Sequence, residues 1–230
     1  MTRIVITGAN RGIGLEHVKL WLENGAEVHA ACRAPAEAHD LKSLDPGDGR
    51  LTLHAYDAAD RGAGRRLAEA VGMPVDILFA NAGIFGPREG QALGTTDPDS
   101  WEEVLRVNAL GPLLLAEAFC DLVAASDQKK IVLQSSRMGS MGDNSSGGYY
   151  TYRPSKAAHN AIGRSLAMDL RDRGISVVVL HPGWVKTDMG GESAPLTPQQ
   201  SAAGEKAVID ALNLANSGQF HDQSGDEISW

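Results

Sequence analysis

The chain has 230 residues, of which 43% are hydrophobic and 22% charged, and its formal net charge is −8 at pH 7. This length suits one large α/β domain or two small ones, and the acidic balance excludes a chain whose whole surface binds nucleic acid. Its two cysteines, Cys32 and Cys120, cannot build a disulfide framework or a cysteine-rich metal site, which favours a reducing, cytoplasmic setting.

Short apolar runs alternate with segments of helical period along the chain. The predicted strands cover residues 3–7, 27–32, 51–56, 75–80, 130–135 and 175–181, with a short last strand near 220–221. Several are apolar nearly throughout, which is typical of parallel strands covered on both faces. The alternation predicts an α/β, doubly wound Rossmann fold: a single domain over residues 1–230, with a mostly parallel seven-stranded sheet and helices on both faces.

The sequence also predicts a helix kink and a loop, and neither a leader nor a membrane span. The segment 100–126 is long for one helix, and Gly111–Pro112 predicts a kink in it. Residues 190–200 are rich in Gly, Pro and Ser and predict a loop before a last helix from about Pro198. Because the first strand pattern begins at once and no stretch approaches 18 uncharged apolar residues, neither a secretory leader nor a membrane span is expected.

A glycine-rich turn, TGANRGIG at residues 7–14, joins the first predicted strand to the first helix. Its three glycines allow close backbone approach, and the helix N-terminus offers free N–H groups to a pyrophosphate. A dinucleotide fold usually places an acidic residue about 20 positions on, to bind a ribose 2′-OH, but Arg33 stands here. An arginine suits a 2′-phosphate, with Arg11 as a second donor, so NADP(H) is predicted and NAD(H) is left open. The alternative is that both arginines are solvated surface residues.

Further motifs follow in order: NAG at 81–83, the asparagine of RVNALG, QSSRMGS after the fifth strand, YRPSK at 152–156 and HPGWVKTDM at 181–189. Together with the glycine turn, this series resembles the short-chain dehydrogenase/reductase family over essentially the whole chain. The stretches GDNSSGGYYTYRPSKAAHN and GQFHDQSGDEISW resemble the branch of sniffer-like carbonyl reductases and bacterial C-factor proteins. The resemblance implies an enzyme that passes a hydride between NADP(H) and the carbonyl or alcohol group of a small organic substrate.

Three tyrosines lie within residues 149–152, and only Tyr152 has a lysine four positions later, Lys156. Side chains at i and i+4 share one helix face, and the helix is predicted to begin near 153–154 with Tyr152 at its N-terminal end. An ammonium and the positively charged oxidised nicotinamide favour phenolate, so we expect them to lower a phenol pKa that is ordinarily about 10. The pair therefore suits proton transfer to the oxygen of a carbonyl under reduction.

The family resemblance implies the remaining roles. Ser136 would bond the substrate oxygen, with Ser135 as its rival, and Asn108 would hold a water in the proton relay to the lysine. Asn81 has a second interpretation, which is to bond neighbouring strands. The implied cofactor residues are Gly8, Asn10, Arg11, Gly12, Ile13, Gly14, Arg33, Asp57, Ala58, Asn81, Ala82, Gly83, Tyr152, Lys156, Pro182, Gly183, Val185 and Thr187.

Two rival functions follow from the same residues. The C-factor resemblance suggests the first, a signalling or regulatory protein that uses nucleotide binding as a sensor. An extended-type epimerase or dehydratase is the second, although the chain is short for one and its glycine spacing differs.

The expected partners are a small carbonyl or alcohol substrate and further copies of the chain. The family's dimers and tetramers pack on the helices that hold the asparagine and the tyrosine, and the apolar run 113–123 fits such an interface. No metal, nucleic acid or membrane partner is expected, because the seven histidines lack paired zinc spacing. Substrate choice is expected to depend on segments 84–98, 139–151 and 184–197.

Overall fold

Seven parallel strands form one sheet in the computed structural model, which describes residues 1–230. The strands are β1 (Arg3–Thr7), β2 (Glu27–Cys32), β3 (Leu51–Ala55), β4 (Ile77–Ala80), β5 (Lys130–Gln134), β6 (Ser176–His181) and β7 (Gln219–Asp222). Their order across the sheet is β3-β2-β1-β4-β5-β6-β7, and every neighbouring pair is parallel. The predicted doubly wound fold is confirmed, including the short last strand, which pairs with β6 at the sheet edge.

Helices cover the sheet on both faces. They are α1 (Gly12–Glu23), α2 (His39–Lys42), α3 (Ala63–Val71), α4 (Pro98–Leu105), α5 (Gly111–Ala124), α6 (Tyr152–Asp169) and α7 (Pro198–Ala211). Successive strand residues point to opposite faces, so Val5 belongs to the core under α3, α5 and α6, whereas Ile4 and Ile6 belong to the core under α1, α2 and α7. Both cores are built from the apolar runs that predicted the strands.

The long helical segment is interrupted just before the predicted kink at Gly111–Pro112. Residues 106–110 form a π-helical turn between α4 and α5. Pro112 has no N–H to give to the carbonyl of Asn108, the α-helical partner four residues earlier. Nδ1 of His159 lies 2.5 Å from that carbonyl oxygen instead. Because a carbonyl only accepts, the proton of His159 is on Nδ1.

One helical segment, Pro98–Ala124, is long and apolar enough to cross a membrane by length and composition, although the sequence predicted no span. Half of its most apolar window is buried inside the protein. Leu115, Ala116 and Phe119 lie in the core between α5 and the sheet. These are the contacts of a core helix, and core helices meet the same length and composition test.

Candidate active site

The glycine turn lies where β1 ends and α1 begins, at the carboxyl edge of the sheet. Gly8 has a φ of +66°, and a Cβ there would lie 2.9 Å from the Cα of Ala82. A Cβ at Gly14 would lie 2.7 Å from Nδ2 of Asn81 and would overlap the carbonyl oxygen of Gly8. The first turn of α1 has no side-chain cap and no acidic residue, so its N–H groups stay available to an anion.

Asn81 ties β4 to the end of β1. Its Nδ2 donates to the carbonyl oxygens of Thr7 at 2.9 Å and Gly8 at 3.2 Å. The N–H of Ala82 donates to Oγ1 of Thr7 at 3.1 Å. Asn81 therefore bonds neighbouring strands, as its second interpretation from the sequence proposed, and it holds the glycine turn in place.

The segment that follows β6 closes over the glycine turn. Cγ2 of Thr187 would lie 3.3 Å from a Cβ at Gly12, so the two segments are in contact. Val185 is buried and pairs with Leu196 through an isolated β-bridge. Six of the predicted cofactor residues line one cavity here: Ile13, Tyr152, Pro182, Gly183, Val185 and Thr187.

The two arginines predicted at a 2′-phosphate differ in their surroundings. Nη1 of Arg11 donates to Oδ2 of Asp188 at 2.7 Å, and both side chains are exposed. Arg33 follows β2, is exposed and forms no ion pair. Asp57 is exposed too, with Oδ1 accepting the N–H two residues on, and Ala58 beside it is half-buried. The structure thus leaves Arg33 free and gives Arg11 a carboxylate partner that the sequence did not indicate.

Tyr152 is the first residue of α6, and Lys156 lies one turn later on the same face. Both side chains are buried, and Nζ of Lys156 lies 5.9 Å from the centroid of the Tyr152 ring. Nζ donates to the carbonyl oxygen of Gln134 at the end of β5, at 2.8 Å. The helix begins within a residue or two of its predicted start, and the pair shares one buried site.

Burial shifts the pKa values of both members of this pair. Burial raises the pKa of Tyr152 to about 12, an effect that the nearby Ser136 hydroxyl reduces in part. Burial also lowers the pKa of Lys156 to about 8. Burial thus acts on the phenol pKa against the lowering expected from Lys156 together with oxidised nicotinamide, and that lowering stays a prediction.

Of the two candidate serines, Ser136 lies beside the phenol. Its Oγ accepts the N–H of Met138 at 3.2 Å, which leaves its own proton available. Oγ of Ser135 donates to Oδ1 of Asn160 at 2.5 Å inside the protein. The geometry therefore favours Ser136 over Ser135 as the donor to a substrate.

Asn108 is fully buried in the π-helical turn and holds the chain that follows β4. Its Nδ2 donates to the carbonyl of Ile84 at 2.8 Å and to Oγ of Ser155 at 3.0 Å. Its Oδ1 accepts the N–H of Ile84 at 2.9 Å. A Cβ at Gly83 would lie 3.2 Å from that oxygen and 3.5 Å from Nζ of Lys156, so the asparagine and the lysine flank this glycine.

Gln91 is a site residue that sequence reasoning missed. It is buried, and its Nε2 donates to the carbonyls of Phe85 at 3.0 Å and Pro87 at 3.1 Å. Its Oε1 accepts the N–H of Tyr152 at 3.2 Å and so satisfies a free donor at the start of α6. A lone glutamine in a loop belongs to no motif, so no local signal identified it.

A cavity of about 540 Å³ opens beside Ser136 and Tyr152. All three segments predicted to govern substrate choice line it, for example through Phe85, Tyr149 and Trp184. No group of three His, Cys, Asp or Glu side chains is arranged to hold a metal ion. The arrangement can therefore present a buried phenol and a serine hydroxyl to an organic molecule beside the glycine turn.

Comparisons with known proteins agree with the fold. The family model described as short chain dehydrogenase matches residues 2–196. The C-signal of Myxococcus xanthus is 44% identical over 157 residues, which is 68% of this chain and 93% of that protein. The 1-hydroxy-2-glutathionyl-2-methyl-3-butene dehydrogenase of Rhodococcus sp. (strain AD45) is 35% identical over 238 residues, covering 100% of both chains. The NADPH-bound carbonyl reductase from chicken fatty liver superposes with a TM-score of 0.93 at 32% identity, covering 100% of this chain and 99% of that one.

Proposed function

This chain belongs to the short-chain dehydrogenase family, and we propose that it works as an NADP(H)-dependent oxidoreductase on the carbonyl or alcohol group of a small organic substrate. The observation that carries the proposal is the buried pair of Tyr152 and Lys156, with Ser136 beside it, at a cavity that adjoins the glycine turn. The dehydrogenase relative that matches over its full length favours catalysis over the signalling alternative.

The residues present fit the cofactor. The uncapped start of α1 beside Gly8 and Gly14 suits a pyrophosphate, and the unpaired Arg33 suits the 2′-phosphate. Thr187 and the segment around it would cover the nicotinamide end. When bound, the cofactor supplies or accepts the hydride. The other residues that we propose to hold it are Asn10, Arg11, Gly12, Ile13, Asp57, Ala58, Asn81, Ala82, Gly83, Tyr152, Lys156, Pro182, Gly183 and Val185.

We propose that Tyr152 moves the proton at its Oη. A phenol with a pKa of about 12 is protonated at neutral pH and is ready to donate, because the alkoxide formed in a reduction is a far stronger base than phenolate. The hydroxyl of Ser136 donates to the same substrate oxygen as negative charge develops there. The ammonium of Lys156, 5.9 Å from the ring centroid, stabilises the phenolate that remains.

Asn108 is proposed to position the backbone next to Lys156 rather than to contact the lysine itself. Its side-chain amide bonds the backbone of Ile84 and so holds the adjacent Gly83 beside Nζ of Lys156, and a relay water at Asn108 would return protons to that atom. The catalytic set that we propose is Asn108, Ser136, Tyr152 and Lys156.

We further propose one domain over residues 1–230 that acts in the cytoplasm as a dimer or tetramer. Along α5, Leu115 and Phe119 are buried in the core, but Leu113, Ala118 and Leu122 are only partly covered. A second copy packed on this helix would bury them. Sedimentation should therefore show a species heavier than the 24.3 kDa chain, and a monomer alone at micromolar concentration would contradict this.

The proposed reaction is tested by following NADPH oxidation at 340 nm with a panel of aldehydes and ketones. We expect turnover with the wild-type protein and none with Tyr152→Phe, which keeps the ring but lacks the proton donor. Tyr150→Phe serves as the matched control, since Tyr150 is a half-exposed tyrosine two positions away. Tight NADPH binding without oxidation by any carbonyl compound would instead support the sensor alternative.

A further inference from the structure

The cavity proposed for the substrate carries a charge opposite to that of the chain. Three arginines, Arg88, Arg137 and Arg153, and one carboxylate, Asp143, line it, whereas the whole chain has a net charge of −8. Arg137 has acidic neighbours, Asp222 at 3.2 Å and Asp143 at 3.6 Å. Arg88 and Arg153 pair with no carboxylate, and their hydrogen bonds go to neutral oxygens only. Two uncompensated positive charges therefore remain at the cavity.

Two aromatic rings stand between the unpaired arginines. The guanidinium carbon of Arg88 lies 5.6 Å from the centroid of the Phe85 ring, and that of Arg153 lies 5.8 Å from the centroid of Tyr149. The rings of Phe85 and Tyr149 meet edge to face at 6.0 Å, and Phe85 lies 4.7 Å from the ring of Tyr152. An apolar wall with a cation at each end thus borders the proposed proton donor.

Arg153 occupies a position that is electrostatically unfavourable for a cation. It is the second residue of α6, where the helix end is itself positive and no acidic residue lies in the first turn. Its buried Nε–H has no acceptor in the protein. Tyr149, whose ring it covers, has a φ of +56°, a strained conformation for an aromatic residue. An anion bound in the cavity would offset the repulsion between these positive charges.

We propose that the substrate carries an acidic group, a carboxylate, on an aromatic or similarly flat apolar body. The body packs against Phe85 and Tyr149 while the acid binds Arg153, with Arg88 as the second cation. An arginine suits this role because its parallel N–H donors match the two oxygens of a carboxylate. The inference rests on the proposed function, since it places the reacting carbonyl at Tyr152.

Matched aldehydes test the charge preference. With saturating NADPH, kcat/KM is measured for 4-carboxybenzaldehyde, for the uncharged 4-formylbenzamide of nearly the same shape, and for the cationic 4-(trimethylammonio)benzaldehyde. We expect the wild-type protein to prefer the acid over the amide by roughly tenfold or more, the value of one charge-assisted hydrogen bond, and to use the cation least.

Substitutions of the two arginines test whether they cause the preference for the acid. Arg153→Gln and Arg88→Gln should each lower the acid-to-amide ratio of kcat/KM towards one, whereas general damage to the site lowers both constants and leaves their ratio unchanged. Arg65→Gln is the matched control, because Arg65 is an exposed arginine on α3 that does not line the cavity. Its ratio should equal that of the wild-type protein.

A binding measurement separates this inference from the proposed reaction. Calorimetric titration of 2-naphthoate and 2-naphthamide into protein saturated with NADP⁺ avoids the cofactor's own phosphate sites. Preferred binding of naphthoate that Arg153→Gln removes, without reduction of any aldehyde, would support the anionic site and reject the reductase function. Equal kcat/KM for all three aldehydes, or equal binding of naphthoate and naphthamide, would overturn the anionic site and leave the reductase function intact.

Discussion

Arg33→Asp is expected to reverse the cofactor preference that we propose. Arg33 is exposed at the end of β2 and forms no ion pair, so its guanidinium is free to meet a 2′-phosphate. Only that phosphate distinguishes NADPH from NADH, and an aspartate would repel it while accepting bonds from ribose hydroxyls. Arg11, the second predicted cation, is held by Asp188 at 2.7 Å and should contribute less.

The magnitude follows from these contacts. Hydrogen bonds to charged groups contribute about 1.5–3 kcal/mol each, which corresponds to roughly 10- to 150-fold in kcat/KM for NADPH. An exposed ion pair is worth at most about 1 kcal/mol. Asp188→Asn, which frees Arg11, should therefore raise kcat/KM for NADPH by up to about fivefold. The two substitutions change the same constant in opposite directions.

The assay measures kcat/KM for NADPH and NADH with one carbonyl substrate at fixed ionic strength, because salt screens exposed charges. Arg33 is remote from the proposed reacting groups, so KM should change more than kcat. Arg65→Gln again controls for the loss of one exposed arginine. Equal wild-type constants for the two cofactors, or an unchanged NADPH preference in Arg33→Asp, would refute the reasoning.

The remaining predictions concern the proton donor, the lysine and a buried pair. Ser136→Ala should lower kcat by roughly 10²- to 10³-fold in steady-state assays, the range for one donor to a developing oxyanion. Tyr152→Phe should abolish turnover but largely preserve the affinity for NADPH in a fluorescence titration, because the ring and the other cofactor contacts are kept. Because burial lowers the pKa of Lys156 to about 8, its charge is present below that pH and lost above it, so kcat/KM for reduction should fall as the pH rises through about 8; a profile flat to about pH 10 would contradict this role. Glu205→Ala removes the carboxylate 3.0 Å from Nε2 of the fully buried His17, leaves that nitrogen without its partner, and should lower the free energy of unfolding by about 1–3 kcal/mol in urea titrations, while leucine at both positions should restore most of it.

The sequence alone was sufficient for the fold because the causes of its elements are local. Apolar runs of strand length predicted six strands to within about two residues of their observed bounds, and the short last strand as well. The glycine turn was also predictable, since Gly8 and Gly12 have positive φ values, which favour glycine whatever lies further along the chain. The i, i+4 spacing of Tyr152 and Lys156 likewise predicted a shared helix face.

Only the tertiary structure decided which distant groups meet. Arg11 and Asp188 are 177 positions apart, and Gln91 bonds the N–H of Tyr152 across 61 positions. No periodicity relates such residues, so neither contact was predicted. The apolar wall with a cation at each end was not predictable either, because it forms only when folding brings Phe85 and Tyr149 together from separate loops.

The pKa values of the site residues were the hardest property to predict from the sequence. A lysine near Tyr152, together with the charge of oxidised nicotinamide, predicted a lowered phenol pKa, whereas burial of the side chain acts in the opposite direction. The sequence names the ionisable groups and their spacing along the chain. Their hydration, and their distances to charges on other elements, are set only when the helices pack onto the sheet.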